Sequence, residues 1–191
     1  MKKNKLIFTT TLILLLTTLV YVLGFASNVS YGNLEITYST DLAKFNEVIQ
    51  KFNSNMYKFL IGLFIVLVGC YVTNSHNRTR YYLSNVISVS LMSASLAVFA
   101  IVNVIPLPGF IKTYTQILID NPEEIERMKR ISSLIDTNAF YYFGIVISVL
   151  MLALAVYLVV YLVLKMKNQK AYIELRDEVL SNAIWKIKIS A

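Results

Sequence analysis

Residues 140–164 read FYYFGIVISVLMLALAVYLVVYLVL, a run without a single Asp, Glu, Lys, Arg or His. A helix of that length measures about 37 Å, more than the roughly 30 Å hydrocarbon core of a bilayer. Lipid tails offer no hydrogen-bonding partner to a peptide group. A segment of this composition must therefore satisfy its own N–H and C=O groups, as a helix does.

Three more blocks of the same character lie upstream: Leu6–Ala26, Phe59–Thr73 and Leu83–Ile105. The second reaches a spanning length only when extended to Met56–Asn74. The chain is 57% hydrophobic and 15% charged, whereas a soluble domain is nearer half apolar and a quarter charged. Nearly all the charge falls between the blocks. The expectation is an all-α membrane protein with four transmembrane helices at about 6–26, 56–74, 83–105 and 140–164. These form a domain over residues 1–166, followed by a cytoplasmic amphipathic tail over 167–191.

The first block has a rival reading as a signal peptide. Lys2, Lys3 and Lys5 precede it, and Gly24-Phe25-Ala26 resembles a cleavage site. Its apolar run exceeds the usual ~7–15 residue core of such peptides, which favours a retained helix. Orientation follows from the basic residues. With four alternating helices, one side collects the amino end, the Arg78–Arg80 loop and the tail, of formal charge +3, +2 and +3. The other two loops carry 0 and −1. The positive-inside rule puts both termini in the cytoplasm, and the expected location is a plasma membrane of bacterial type. The net charge of +7 is thus a topology signal. No soluble basic domain is present to bind nucleic acid.

Each span carries a stripe of small or mildly polar residues at helical spacing. In the first it is Thr10, Thr17, Tyr21 and Gly24; in the second, Gly62, Val66, Gly69 and Thr73; in the fourth, Gly144, Ser148, Met151 and Ala155. Lipid is as apolar as leucine, so membrane helices associate through close packing and interhelical hydrogen bonds. Gly62, Gly69, Gly144 and Ser148 are accordingly read as packing seams.

The third span differs. Asn85, Ser88, Met92, Ser95 and Asn103 share one face, while Ser90, Ser93, Ala94, Ala97 and Ala100 lie nearly opposite. Only Ile87, Leu91, Val98, Val102 and Ile105 suit lipid. This helix is expected to be the most enclosed. The face of Asn85, Ser88, Ser95 and Asn103 either bonds to neighbouring helices or lines a polar pathway or subunit contact.

Outside the membrane, Leu34–Ser39 alternates apolar and polar residues after the turn signal Tyr31-Gly32-Asn33, which predicts a short strand. From Asp41 the spacing of Leu42, Phe45, Ile49 and Phe52 predicts a helix that runs, with a bend near Asn53-Ser54-Asn55, towards the second span. Pro106-Leu107-Pro108-Gly109 is a helix stop. Asn121, Pro122 and Glu124 make a helix start, with Ile125, Met128, Ile131 and Ile135 on its apolar face. In the tail, Tyr172, Leu175 and Val179 recur at helical spacing and Trp185 sits beside Lys186 and Lys188. That pattern suits either a helix at the bilayer surface or one that docks a partner.

Cys70 and His76 are the single cysteine and histidine, so one chain cannot form an internal disulfide or a Cys-rich metal site. Hydrolase, metalloprotease and nucleotide-binding motifs are missing. The four apolar blocks hold no general base for their hydroxyls and no ionisable group of the kind coupled transport uses. No cofactor is expected. The layout resembles claudin-like and other tetraspan proteins in architecture, without the Trp and Cys pair of a claudin-type first loop. The leading expectation is a non-catalytic membrane subunit or partner-binding protein that contacts lipid and other membrane subunits. Its rivals are a homo-oligomeric pore lined by the third helix and a membrane-surface enzyme acting on lipid.

Overall fold

A computed structural model of the chain describes residues 2–31, 40–74, 83–120, 122, 126 and 138–190. They form five helices: α1 (Lys2–Tyr31), α2 (Thr40–Asn74), α3 (Leu83–Val104), α4 (Leu107–Asp120) and α5 (Ala139–Ser190). No strand occurs among the described residues. Three stretches are long and apolar enough to cross a membrane: Lys44–Asn74 in α2, Leu83–Asp120 across α3 and α4, and Ala139–Val179 in α5. The apolar part of α1 among the described side chains, Ile7–Leu23, is shorter. This is consistent with an integral membrane protein built as a helical bundle.

α3 stands between α2 and α5, α1 lies against α2 and α5, and α4 folds back over α2, α3 and α5. The interior is apolar, with Leu15, Ile49, Leu60, Met92, Leu96, Phe99 and Met151 almost wholly buried. Ile65, Val68, Val72, Val156 and Val163 point outwards, as helix faces in lipid do. All five residues of the lipid strip predicted on α3 (Ile87, Leu91, Val98, Val102 and Ile105) are exposed. Of the opposite small-residue face, Ser93 and Ala100 are buried while Ser90 and Ala94 are exposed.

Two helices are longer than their apolar blocks. α2 passes Asn53-Ser54-Asn55 without a break, because Asn53 turns inward and donates to the carbonyl of Val22 on α1 at 3.2 Å. Lys58, brought inside the second span by its extension to Met56, is exposed on the outside of α2. α5 runs 52 residues, about 78 Å, straight through Lys167. The chain beyond Gly144 contains neither glycine nor proline, so the change from apolar to charged residues alters the surroundings of the helix and not its backbone.

The Pro106–Gly109 stop is a corner. α3 closes with the bond from Ile105 N–H to Ile101 O, 3.1 Å, and α4 opens with Phe110 N–H to Pro106 O, 3.0 Å. Pro108 falls in the first turn of α4, where a missing N–H leaves no bond unmade. α4 was not foreseen from the sequence, although Leu107, Phe110, Tyr114 and Ile117 have the spacing of one helical face. Asn138 starts α5, its carbonyl accepting from Tyr141 and Tyr142 N–H at 3.1 Å each. The predicted strand over Leu34–Ser39, the helix expected after Asn121 apart from Pro122 and Glu126, and His76, Arg78 and Arg80 lie outside the described residues.

Candidate functional site

Asn85 and Asn103 stand 18 residues apart on α3, five helical turns or about 27 Å. Five turns bring them back to one face, and both are buried. At the first, the Asn85 amide donates to Thr73 O at 2.7 Å and to Asn74 Oδ1 at 3.0 Å. Thr73 lies in the last turn of α2, whose carbonyls have no partner further along the helix. Asn85 therefore caps α2 from the neighbouring helix. Ser88 joins the group, accepting from Thr73 Oγ1 at 2.8 Å and from Asn74 Nδ2 at 3.1 Å. Asn74 also reaches back to Cys70 O at 2.8 Å.

At the other end Asn103 Nδ2 donates to Ser148 Oγ at 2.8 Å and Gly144 O at 3.2 Å on α5. Ser148 Oγ donates in turn to Gly144 O at 2.9 Å. The amide orientation follows from these partners: a carbonyl oxygen facing Gly144 O would set two acceptors against each other. The Asn103 carbonyl oxygen is buried without a hydrogen-bond partner. At Gly144 side chains of α1 and α4 press on α5. A methyl group there would collide with the Tyr21 hydroxyl, lie 2.9 Å from the ring carbon bearing it and 3.0 Å from Leu107 Cδ1.

The two ends do not join. Ser95 is half-buried and takes part in none of these bonds. Met92, Leu96 and Phe99, each almost fully buried, fill the interior between them. Within one chain the face of Asn85, Ser88, Ser95 and Asn103 thus forms two separate sets of interhelical bonds, with apolar packing in the middle.

The seam residues also separate. Gly144 and Ser148 lie in the α3–α5 contact. A Cβ added at Gly62 or Gly69 meets nothing within 4 Å. Among the described residues no helix packs on those two glycines: α2 turns that side away from its neighbours. Leu175 and Val179 are exposed on the extension of α5 beyond its apolar block. The side chains of Tyr172 and Trp185 lie outside the described residues.

Sequence reasoning missed three contacts. Ser93 Oγ donates to Ala155 O at 2.8 Å, a second α3–α5 tie. The Asn53–Val22 bond joins α2 to α1. An aromatic group fastens α4 down: Phe45 stacks on Tyr114 at 5.8 Å, Phe52 meets Phe110 edge-on at 5.3 Å, and Tyr114 lies 5.7 Å from Tyr141. The period of Phe45 and Phe52 was visible in the sequence, but nothing there named α4 as the surface they cover.

Chemically, these contacts tie helices together. Interhelical hydrogen bonds of this kind are worth about 0.6 kcal/mol each in a membrane, reaching about 1.7. Among the described residues there is no group of three or more His, Cys, Asp or Glu placed to hold a metal ion. Compared with protein-family models, curated proteins and solved structures, the chain matches none.

Proposed function

We propose that the chain is a non-catalytic integral membrane subunit that assembles with other membrane proteins. In this reading α1 is the fourth span, both termini are cytoplasmic, and the membrane is a plasma membrane of bacterial type. The observation that carries it is the plug of Met92, Leu96 and Phe99 between the two polar ends of α3. A conduit needs polar groups facing water along its length. Here Asn85, Ser88, Ser93 and Asn103 are engaged with α2 and α5 instead, which suits a packed scaffold. The unbroken α5 supports a tail that stands off the bilayer. At 1.5 Å per residue, Leu175 and Val179 lie about 16–22 Å beyond Leu164. An exposed apolar face beyond the charged turns of α5 favours a protein partner.

Extraction in mild detergent followed by mass analysis of what co-purifies tests the reading. A foreign membrane subunit at fixed stoichiometry is the expected result. A pure homo-oligomer that passes a selective flux in liposomes, lost on Asn103→Leu, would replace it with the pore reading. That rival has one observation in its favour, the Asn103 carbonyl oxygen, a buried acceptor without a hydrogen-bond partner. Turnover by the purified chain, abolished by one side-chain change, would replace it with the enzyme reading. Sidedness is checked separately by membrane-impermeant labelling of single cysteines introduced near residues 3, 121 and 188 in a Cys70→Ser background. The middle position alone is expected to react from outside.

A further inference from the structure

Where α5 leaves the apolar block, a groove of about 500 Å³ opens between it and the first turn of α3. Leu83, Val86, Met166 and Ile173 line its apolar part, and Gln169, Lys170 and Glu174 its polar rim. Leu83 is 74% exposed although it begins the third apolar block. The groove therefore runs from the depth where acyl chains start to the first charged turns of α5. Lys165, Lys167 and Lys170 fall within six residues of Leu164. Lys170 is about 9 Å along the helix from Leu164, against a headgroup layer of roughly 5–7 Å on each side of the bilayer. A lysine stem is long enough to bring its ammonium back to phosphate level. The one carboxylate at the rim, Glu174, is 3.9 Å from Lys170, and both are exposed. An ion pair of that kind is weak and readily exchanged.

We infer that this groove holds one anionic phospholipid of the bilayer, its phosphate at Lys170 and an acyl chain against Leu83, Val86 and Met166. The charge argues for the occupant: Lys170 lines the groove beside Glu174, Lys165 and Lys167 lie on the adjoining turns of α5 at the same membrane edge, and basic recesses between membrane helices bind anionic headgroups. The depth argues for a lipid over a soluble anion, since the apolar floor lies where only a lipid brings a hydrocarbon chain. The inference rests on the reading of Phe140–Leu164 as a span and requires no choice of which side is cytoplasmic.

The test uses the full chain, delipidated in detergent and titrated with phosphatidylglycerol or with phosphatidylcholine of the same chain length, and counts bound lipids by native mass spectrometry. One phosphatidylglycerol per chain should bind ahead of phosphatidylcholine. Lys170→Gln should weaken phosphatidylglycerol about fivefold, the factor for roughly 1 kcal/mol per basic residue at a membrane surface, and leave phosphatidylcholine unchanged. Glu174→Gln should strengthen phosphatidylglycerol. Val86→Trp fills the floor without touching charge and should weaken it too, which separates a groove from general attraction to basic residues. Equal retention of the two lipids would overturn the inference, as would indifference to Lys170→Gln or to Val86→Trp in a variant that elutes as the wild type does. A dimer that Val86→Trp dissolves would overturn it as well, by making a second copy the occupant. Failure of the span reading shows differently, as a chain that alkaline washing strips from vesicles.

Discussion

Gly144 and Gly69 begin as the same signal, a glycine in a stripe of small residues on an apolar helix, and they end in opposite surroundings. Gly144 is pressed between Tyr21 and Leu107, and its carbonyl accepts from both Asn103 and Ser148. Gly69, with Gly62 one heptad before it, faces open space. A small residue allows two backbones to approach; it does not oblige them to. On α5, Gly144 O and Ser148 are matched by the Asn103 donor of α3, and the open side of Gly144 is filled by the Tyr21 ring of α1. The Gly62–Gly69 face of α2 has no such match among the described residues.

The sharpest way to break this contrast is Gly144→Ala. The added methyl collides with the Tyr21 hydroxyl, and Tyr21 is itself buried with little room to withdraw. Overpacking of this kind costs about 1–3 kcal/mol. A loss of about 2 kcal/mol is expected, read from unfolding in a detergent series. Tyr21→Phe removes the colliding oxygen and should restore part of that loss. A Gly144→Ala protein as stable as the wild type would mean that the seam is looser than its geometry.

Next comes the polar half of the seam. Ser148→Ala leaves the Asn103 amide with Gly144 O alone and should cost about 1 kcal/mol, within the range for interhelical bonds. Asn103→Leu should cost less, although it deletes two bonds. It also removes the buried carbonyl oxygen that has no partner, and such a group costs about 1–3 kcal/mol to hold. A loss above about 2 kcal/mol for Asn103→Leu in the same unfolding assay would mean that this oxygen is bonded in the membrane, by a bound water for example. Ser93→Ala removes one bond to a backbone oxygen that keeps its own helical partner. It should cost about 0.6 kcal/mol, the average for such bonds.

These differences mark how far the sequence could be read. The apolar blocks, the exposed strip of α3 and the buried placement of Asn85 and Asn103 follow from composition and period, which act along a single helix. The partners of those asparagines do not. Asn103 meets Ser148 across 45 residues of chain, and that pairing depends on how α3 and α5 are shifted along each other. The same holds for the glycines: spacing puts Gly62 and Gly69 on one face without saying whether a neighbour stands there. α4 was hidden for a local reason, because two prolines in four residues read as an end and not as a corner. The extension of α5 is hidden because, along the sequence, a change of solvent looks like a change of structure.

A small expected gain, in place of a loss, discriminates most between a lone chain and an assembled one. Gly62→Ala and Gly69→Ala put a methyl into open space within this chain and replace a poor helix former with the best one. Each should therefore stabilise the isolated protein, by about 0.5–1 kcal/mol. If another protein closes on α2 in the membrane, the same methyl stands between two backbones, and association should weaken while the isolated chain gains. Measuring both quantities on one variant separates the possibilities. A gain in stability with co-purification intact leaves the α2 face to lipid. A gain in stability with a subunit lost from the mild-detergent extract makes that face an interface. A loss of stability in the isolated chain itself would contradict the open surroundings of these glycines and remove the contrast with Gly144 altogether.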